Sequence, residues 1–248
     1  MIVGRGLLAH AFTPHFGANA GVVIFASGVS NSLETRESEF EREHTLLRQT
    51  LGHDARRFVY FSSCGVIAPE TELTPYMRHK RRMESLVLAK PNGLVFRLPQ
   101  VVGRTNNSHT LTNFLHNHIM SGEHFTVWAH AERNLIDIDD IAKIGNKLID
   151  ELSAMPAAIS IAALESLPMP RIIRIFERLL GKTANCTYVD KGAPMLVDTV
   201  QVQKTSTSLG IDLGGDYVER VIVKYYAVDA DRHAGLASRP QPALDAST

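Results

Sequence analysis

The chain has 248 residues, 44% of them hydrophobic and 21% charged, the proportions of an ordinary soluble globular protein. Lys and Arg total 26 and Asp and Glu total 26, a balance that argues against a nucleic-acid partner. The mean hydropathy is −0.05, and no apolar run nears the roughly 18–20 residues of a membrane span, so no membrane partner is expected. Two cysteines, Cys64 and Cys186, are too few for a disulfide framework. Together with an opening that reads as a strand rather than a leader, they suggest a reduced, cytoplasmic protein.

Residues 1–3 form a short apolar run that leads into Gly4-Arg5-Gly6-Leu7-Leu8-Ala9 and a helical stretch to about Phe12. Residues 22–26 are continuously apolar and of strand length, and they end at Ser27-Gly28. Such runs suit a parallel sheet covered on both faces. Residues 34–51 read as a polar helix whose buried stripe holds Phe40, Leu46 and Leu47. A strand over 57–61 ends at Ser62-Ser63, a helix follows over 76–89, and a fourth strand spans 94–97. Strand and helix alternate four times within about 100 residues, which argues for right-handed βαβ units. The second half is less regular. It suggests helices over 110–120, 139–152, 169–180 and 216–226, with strands over 125–128 and 159–162. Gly181 stops the third of these helices. From about Asp231 there is little to bury, so a disordered tail is expected over 231–248.

Gly4-x-Gly6-x-x-Ala9 follows a strand and opens a helix, the setting a dinucleotide-binding turn requires. The first glycine permits the tight turn and the second lets backbone approach a pyrophosphate. A small third residue lets helix and strand pack closely, and the helix N-terminus favours the anion. An acidic residue about 20 positions on, which would hold the ribose, is missing: none lies between Gly6 and Glu34. The chain therefore skips the second and third strands of a full dinucleotide-binding sheet. Arg5 and His10 are the nearest groups that could meet a 2′-phosphate.

Tyr76-Met77-Arg78-His79-Lys80 places a tyrosine and a lysine four apart, on one helical face. Ser62 and Ser63 end the preceding strand, at the sheet edge where ligands bind in open α/β folds. A carbonyl reduced by hydride needs a proton, and an alcohol oxidised by hydride loss needs a base. A free tyrosine titrates near 10, so an adjacent ammonium and a cationic nicotinamide are expected to lower it.

This order of motifs resembles the extended short-chain dehydrogenase/reductase superfamily, in its branch of sugar-nucleotide epimerases, dehydratases and keto-reductases. Val59-Tyr60-Phe61-Ser62-Ser63-Cys64 is similar to the family's strand ending in its catalytic Ser or Thr. Phe96-Arg97-Leu98-Pro99-Gln100-Val101-Val102-Gly103 is similar to the strand and loop after the catalytic helix. Arg133-Asn134-Leu135-Ile136-Asp137-Ile138-Asp139-Asp140-Ile141-Ala142 resembles the family's R-x-F-I-x-V-D-D-V-A segment. The compact start, with residues 25–32 close behind the first strand, resembles small members encoded with polysaccharide or O-antigen enzymes.

The resemblance implies an α/β fold: a shortened Rossmann-type parallel sheet with helices on both faces and a small C-terminal substrate-binding lobe. Residues 1–230 would be one unit, with a core of about 1–103 plus 134–162 and a lobe of about 104–133 and 163–226. It implies an NAD(P)-dependent reductase or epimerase of a nucleotide sugar, with NAD and NADP both open. Tyr76 would be the general acid/base and Lys80 would bond the nicotinamide ribose. Ser63, with Ser62 as the competing alignment, would orient the substrate oxygen. The cofactor would lie against Gly4, Arg5, Gly6, Leu7, Leu8, Ala26, Ser27, Gly28, Phe61, Lys80, Pro99 and Gln100. Asn106, Asn107 and Arg133 would face the substrate beside Ser63 and Tyr76, where polar groups could reach a diphosphate. Helices 34–51 and 76–89 match the positions through which many members pair, which implies a homodimer.

The remaining features have plain readings. His109, His116, His118, His124 and His130 fit no metal-ligand spacing, so no metal is expected. His79 and the run Lys80-Arg81-Arg82 read as a solvated helix face, Cys64 as packing, and Trp128 as core of the smaller lobe. One of Asp137, Asp139 and Asp140 is expected to cap the helix that follows.

Overall fold

The computed structural model describes residues 1–152 and 156–237. The first half runs β1 (Ile2–Val3), α1 (Leu7–Phe16), β2 (Val22–Phe25), α2 (Glu37–Leu51), β3 (Arg57–Ser63), α3 (Pro75–Leu88) and β4 (Gly93–Leu98). The second half runs β5 (Gln100–Val102), α4 (Leu111–Ser121), β6 (Phe125–Trp128), β7 (Glu132–Arg133), β8 (Leu135–Asp137) and α5 (Ile138–Glu151). It continues with β9 (Ala157–Ser160), β10 (Leu167–Pro168), α6 (Met169–Leu180), β11 (Cys186–Val189), α7 (Val200–Ser208) and α8 (Tyr217–Ala237).

The central sheet has the order β1-β2-β3-β4-β9, and every neighbouring pair is parallel. Among the described residues β1 is an edge strand, as expected for a chain that skips two strands. Alternate side chains point to opposite faces of a strand, and both faces here are apolar. Val22 and Ile24, Val59 and Phe61, and Leu94 and Phe96 join one core with Phe12 and Phe16 of α1 and Ile141 and Ile144 of α5. Val23 and Phe25, Phe58 and Tyr60, and Val95 join the other with Leu47 of α2 and Met83 and Val87 of α3. Helices therefore cover both faces, which is why the strand sequences read as continuous apolar runs.

The structure moves several boundaries. α1 continues to Phe16 because Phe16, one turn beyond Phe12, is fully buried. α2 begins at Glu37 rather than at 34. Glu34 instead accepts the Thr35 and Arg36 amides and pairs with the Arg36 guanidinium, which keeps this stretch out of the helix. β9 lies at 157–160, two residues before the expected strand. β6 matches the expected strand over 125–128, whereas β5, β7, β8, β10, β11 and the helix α7 are too short or too polar to show a period in the sequence. Trp128 is half exposed, not core, because β6 buries Phe125 and Val127 on its opposite face. Asp137 is the cap, accepting the Asp139 amide at 2.9 Å. α8 runs through Ala237, beyond the expected start of the tail at 231, in keeping with the high helix propensity of its several alanines. The rest of that expectation, residues 238–248, lies outside the described residues. No helix among the described residues is long and apolar enough to cross a membrane.

Phe96 lies at the centre of the first core and is fully buried. Phe96→Ala is expected to lower the unfolding free energy by about 3–5 kcal/mol, measured as a fall in the urea midpoint with an unchanged slope.

Candidate active site

The carboxyl ends of β1–β4 open into one cavity of about 550 Å³, the edge at which parallel sheets bind ligands. At one end lies the turn from β1 to α1. Gly4 has φ +132°, and a Cβ there would stand 2.4 Å from the Ala26 carbonyl oxygen. Glycine is required for this turn, and Gly4 supports it from behind the cavity wall rather than lining it. Arg5, Gly6, Leu7 and Leu8 do line it. Gly6 caps α1 without a side-chain hydrogen bond, and nothing lies within 4 Å of where its Cβ would stand. The first amides of α1 thus meet open space, and an anion fits there.

Ala26, Ser27 and Gly28 continue the wall, and Phe61, Pro99 and Gln100 also line it. Ser62 and Ser63 arrive at the end of β3, and Tyr76 and Lys80 on the first turns of α3. Thr74 caps α3 by accepting the Met77 amide at 3.2 Å, and Pro75 opens its first turn. This cap fixes the phase that turns Tyr76 and Lys80 inward. Ser62 Oγ is buried and has no hydrogen-bond partner among the described residues. Ser63 is half-buried, and its Oγ accepts the Gly65 amide at 3.2 Å. Asn107 reaches the cavity from the loop before α4. Asn106 and Arg133 do not line it. Asn106 is exposed, and the Arg133 guanidinium bends back to its own strand, donating to the Glu132 carbonyl at 2.7 Å.

Behind the cavity wall a carboxylate from α2 meets Lys80. Glu43 is fully buried, and Lys80 is 3% exposed. Lys80 Nζ donates to Glu43 Oε1 at 3.0 Å and to the Tyr60 hydroxyl at 3.1 Å. The Tyr60 hydroxyl and the Val29 amide each donate to Glu43 at 2.6 Å, and His79 Nε2 lies 3.1 Å from Oε2. Burial pushes the Glu43 carboxyl up, but Lys80, His79, Tyr60 and Val29 together outweigh it and hold the group at about 2. Burial lowers the Lys80 ammonium, with Glu43 opposing. In the protein alone the Tyr76 phenol lies above its ordinary value. Burial pushes its phenol up, and Glu43 adds to that. The Lys80 charge that would act on Tyr76 is answered by a carboxylate on its other side.

His79 is buried and stacked on Phe40 with ring centroids 4.7 Å apart, not solvated. Cys64 is buried, and its thiol is pushed up to about 12 by that burial. Among the described residues no cluster of His, Cys, Asp and Glu has a metal-binding arrangement.

Glu43, Tyr60 and Arg42 escaped the reading of the sequence, as did the wall residues Val29–Ser32 in numbers 29–32, Thr105, His109 and Thr110. Glu43 carried a signal: it stands three residues after Phe40 and four before Leu47, on the buried stripe of α2. A carboxylate on an apolar stripe calls for a buried cation.

The Glu43 carboxyl contributes stability above its ordinary range near 4.5, and the contribution is lost as pH falls towards about 2. Acid titration from pH 5 to pH 2 is expected to cost the wild type roughly 3 kcal/mol more than Glu43→Gln, read from urea unfolding at each pH.

The model of the NAD dependent epimerase/dehydratase family matches residues 10–162. Comparison with curated proteins returns no match. Among solved structures the chain is similar to UDP-glucuronic acid 4-epimerase from Bacillus cereus in complex with UDP-glucuronic acid and NAD. The identity is 16%, the coverage 91% of this chain and 80% of that one, and the TM-score 0.66. It is similar to UDP-N-acetylglucosamine 4-epimerase from Bacillus cereus at 14% identity, covering 90% and 97%, with a TM-score of 0.64. It is also similar to RMD from Pseudomonas aeruginosa complexed with NADPH, at 15% identity, covering 93% and 87%, with a TM-score of 0.64. These likenesses bear on the fold; the family match covers more than half of the chain. The chain belongs to the NAD-dependent epimerase/dehydratase family.

Proposed function

We propose that the chain is an NAD(P)-dependent reductase or epimerase acting on a nucleotide-activated sugar. The observation that carries this reading is convergence: the α1 turn, the end of β3, the start of α3 and the loop after β4 all line one cavity. The structural neighbours bound to a UDP-sugar with NAD, or to NADPH, support it.

A nicotinamide cofactor held there supplies or takes the hydride. Arg5, Gly6, Leu7 and Leu8 would receive its pyrophosphate at the uncapped helix end. Ala26, Ser27, Gly28, Phe61, Pro99 and Gln100 would flank the rest. Lys80 has three donors; they meet both Glu43 oxygens and the Tyr60 hydroxyl, and a ribose hydroxyl would replace the longest of these contacts, the 3.4 Å one to Glu43. The Tyr76 hydroxyl would exchange a proton with the substrate oxygen, and Ser63 or Ser62 would orient that oxygen. With its phenol raised by burial and by Glu43, Tyr76 rests protonated, the form that donates to a carbonyl. Reduction of a keto sugar and epimerisation through a keto intermediate both use this proton. Dehydratases of the family commonly carry an acidic residue directly after the catalytic Ser or Thr. Here the buried Cys64 follows, which disfavours dehydration. Asn107, and Asn106 and Arg133 after a change of side-chain conformation, would meet the diphosphate of the substrate. The setting we propose is polysaccharide biosynthesis in the cytoplasm, on the resemblance of the compact N-terminal segment.

One observation favours a second reading, a sugar-nucleotide binder without turnover. β1 is the edge of the described sheet, so the strands that ordinarily carry the ribose-binding acid have no counterpart. Thermal unfolding with NAD, NADH, NADP and NADPH in turn separates the two. A ligand at about 100 times its Kd stabilises by roughly 2.7 kcal/mol, a rise of about 2–4 °C for a chain of this size. One responding pair names the cofactor, and no response to any favours the binder. In the enzyme, Tyr76→Phe is expected to keep the nucleotide response and lose turnover by about 10²–10⁴-fold. Unchanged turnover overturns the role of Tyr76.

The homodimer is proposed through the outer faces of α2 and α3, which lie side by side on one face of the sheet. Sedimentation is expected to give about twice the 27.4 kDa chain mass; a monomer at tens of micromolar protein rejects the dimer.

A further inference from the structure

We propose that Glu43 is a positioning residue whose carboxylate keeps the buried Lys80 ammonium charged and fixed at the cavity floor. The inference deepens the hydride-transfer reading and takes from it only the idea that Lys80 meets the nicotinamide ribose.

An ammonium that is 3% exposed cannot keep its proton at neutral pH without compensation. The compensation is a single carboxylate. Glu43 reaches Lys80 Nζ with both oxygens, at 3.0 and 3.4 Å. The carboxylate is itself over-determined, since the Val29 amide and the Tyr60 hydroxyl each donate to it at 2.6 Å. Its position is thus fixed by groups other than Lys80 as well, and Lys80 docks on a carboxylate already held in place. The backbone at Gly28 closes over the pair. A Cβ there would stand 2.5 Å from Lys80 Nζ and 2.9 Å from Glu43 Oε1. Both atoms are side-chain ends, and a retreat of either would lengthen the ion pair.

The groups facing Lys80 come from three elements. α2 supplies Glu43 and Arg42, β3 supplies Tyr60, and α3 supplies Tyr76, His79 and Glu84. Glu84 is engaged by Arg97 at 2.6 Å. Among the described residues Glu43 is the only one of these carboxylates that touches the ammonium; Glu84 acts on it from farther off and is already paired with Arg97.

The test reads the titration of Lys80 directly. Full-length protein is prepared with lysine labelled at Cε and Nζ, and its NMR shifts are followed with pH, the Lys80 signal being assigned with Lys80→Met. In Glu43→Gln, Lys80 is expected to titrate about two pH units or more below the wild type. The same midpoint in both proteins overturns the proposal. Should Glu43→Gln not fold, Glu43→Asp carries the test. It keeps the charge but withdraws it by one methylene, and a midpoint about one unit lower supports the proposal while an unchanged one rejects it. A purely structural Glu43 would alter the melting temperature without moving this midpoint. NADH and NADPH fluorescence titrations at pH 6.5 and 8.5 then connect the charge to ligand. Wild-type affinity is expected to hold, while that of Glu43→Gln falls roughly tenfold between the two values as Lys80 loses its proton. A wild type that binds neither nucleotide, with the Lys80 midpoint still displaced in the variant, sinks the hydride-transfer reading and leaves the role of Glu43 standing.

Discussion

The ion pair between Glu43 and Lys80 is the constraint around which the cleft is built. Neither charge could be buried alone, since an unpaired ion in the interior costs several kcal/mol. Their pairing joins α2 to α3, and through Tyr60 and Val29 it joins both helices to β3 and to the loop after β2. The loop can come this close only because residue 28 has no side chain. Helix phase, loop path and glycine placement are thus consequences of one electrostatic requirement. Burial chiefly keeps the Tyr76 phenol protonated, and Glu43 adds to it, the nearby cation being answered by that anion.

The sheet supplies the stage for this arrangement. Its strands are apolar on both faces, so helices must cover both, and parallel connections bring every strand's carboxyl end to the same edge. The cavity follows from that geometry without special devices. What is unusual is the edge. β1 pairs only with β2 among the described residues, and the turn after it combines a positive-φ glycine with a helix end that no side chain caps. The turn that we propose receives the pyrophosphate thus stands at the edge of the described sheet.

Much of this was legible. The runs 22–26 and 57–61 announced buried parallel strands by length and composition. The pattern from Gly4 to Ala9 announced a turn into a helix, and the Tyr76–Lys80 spacing announced a shared helical face. Each depends on neighbours within one or two turns of chain. The failures have a common cause as well. His79 read as solvated because its polarity suggested water, yet Phe40 and Glu43 receive it from a helix some 40 positions earlier. Trp128 read as core on hydrophobicity alone, although the strand's alternation faces it outward. Arg133 fell in a recognisable segment, but its side chain folds back on its own strand, which no spacing reveals.

By itself the sequence determined the class of fold, the shortened sheet, the edge at which the cavity opens and part of its lining, with Ser62, Ser63, Tyr76 and Lys80 among it. These rest on hydrophobic period and on the backbone demands of glycine, which act locally. Only the tertiary structure decided the charge state of the site. Whether Lys80 acts on Tyr76 or is held by a counter-ion depends on a carboxylate brought from another helix into the interior. Electrostatic energies in such a space are governed by distance and dielectric, and those exist only once the chain is packed.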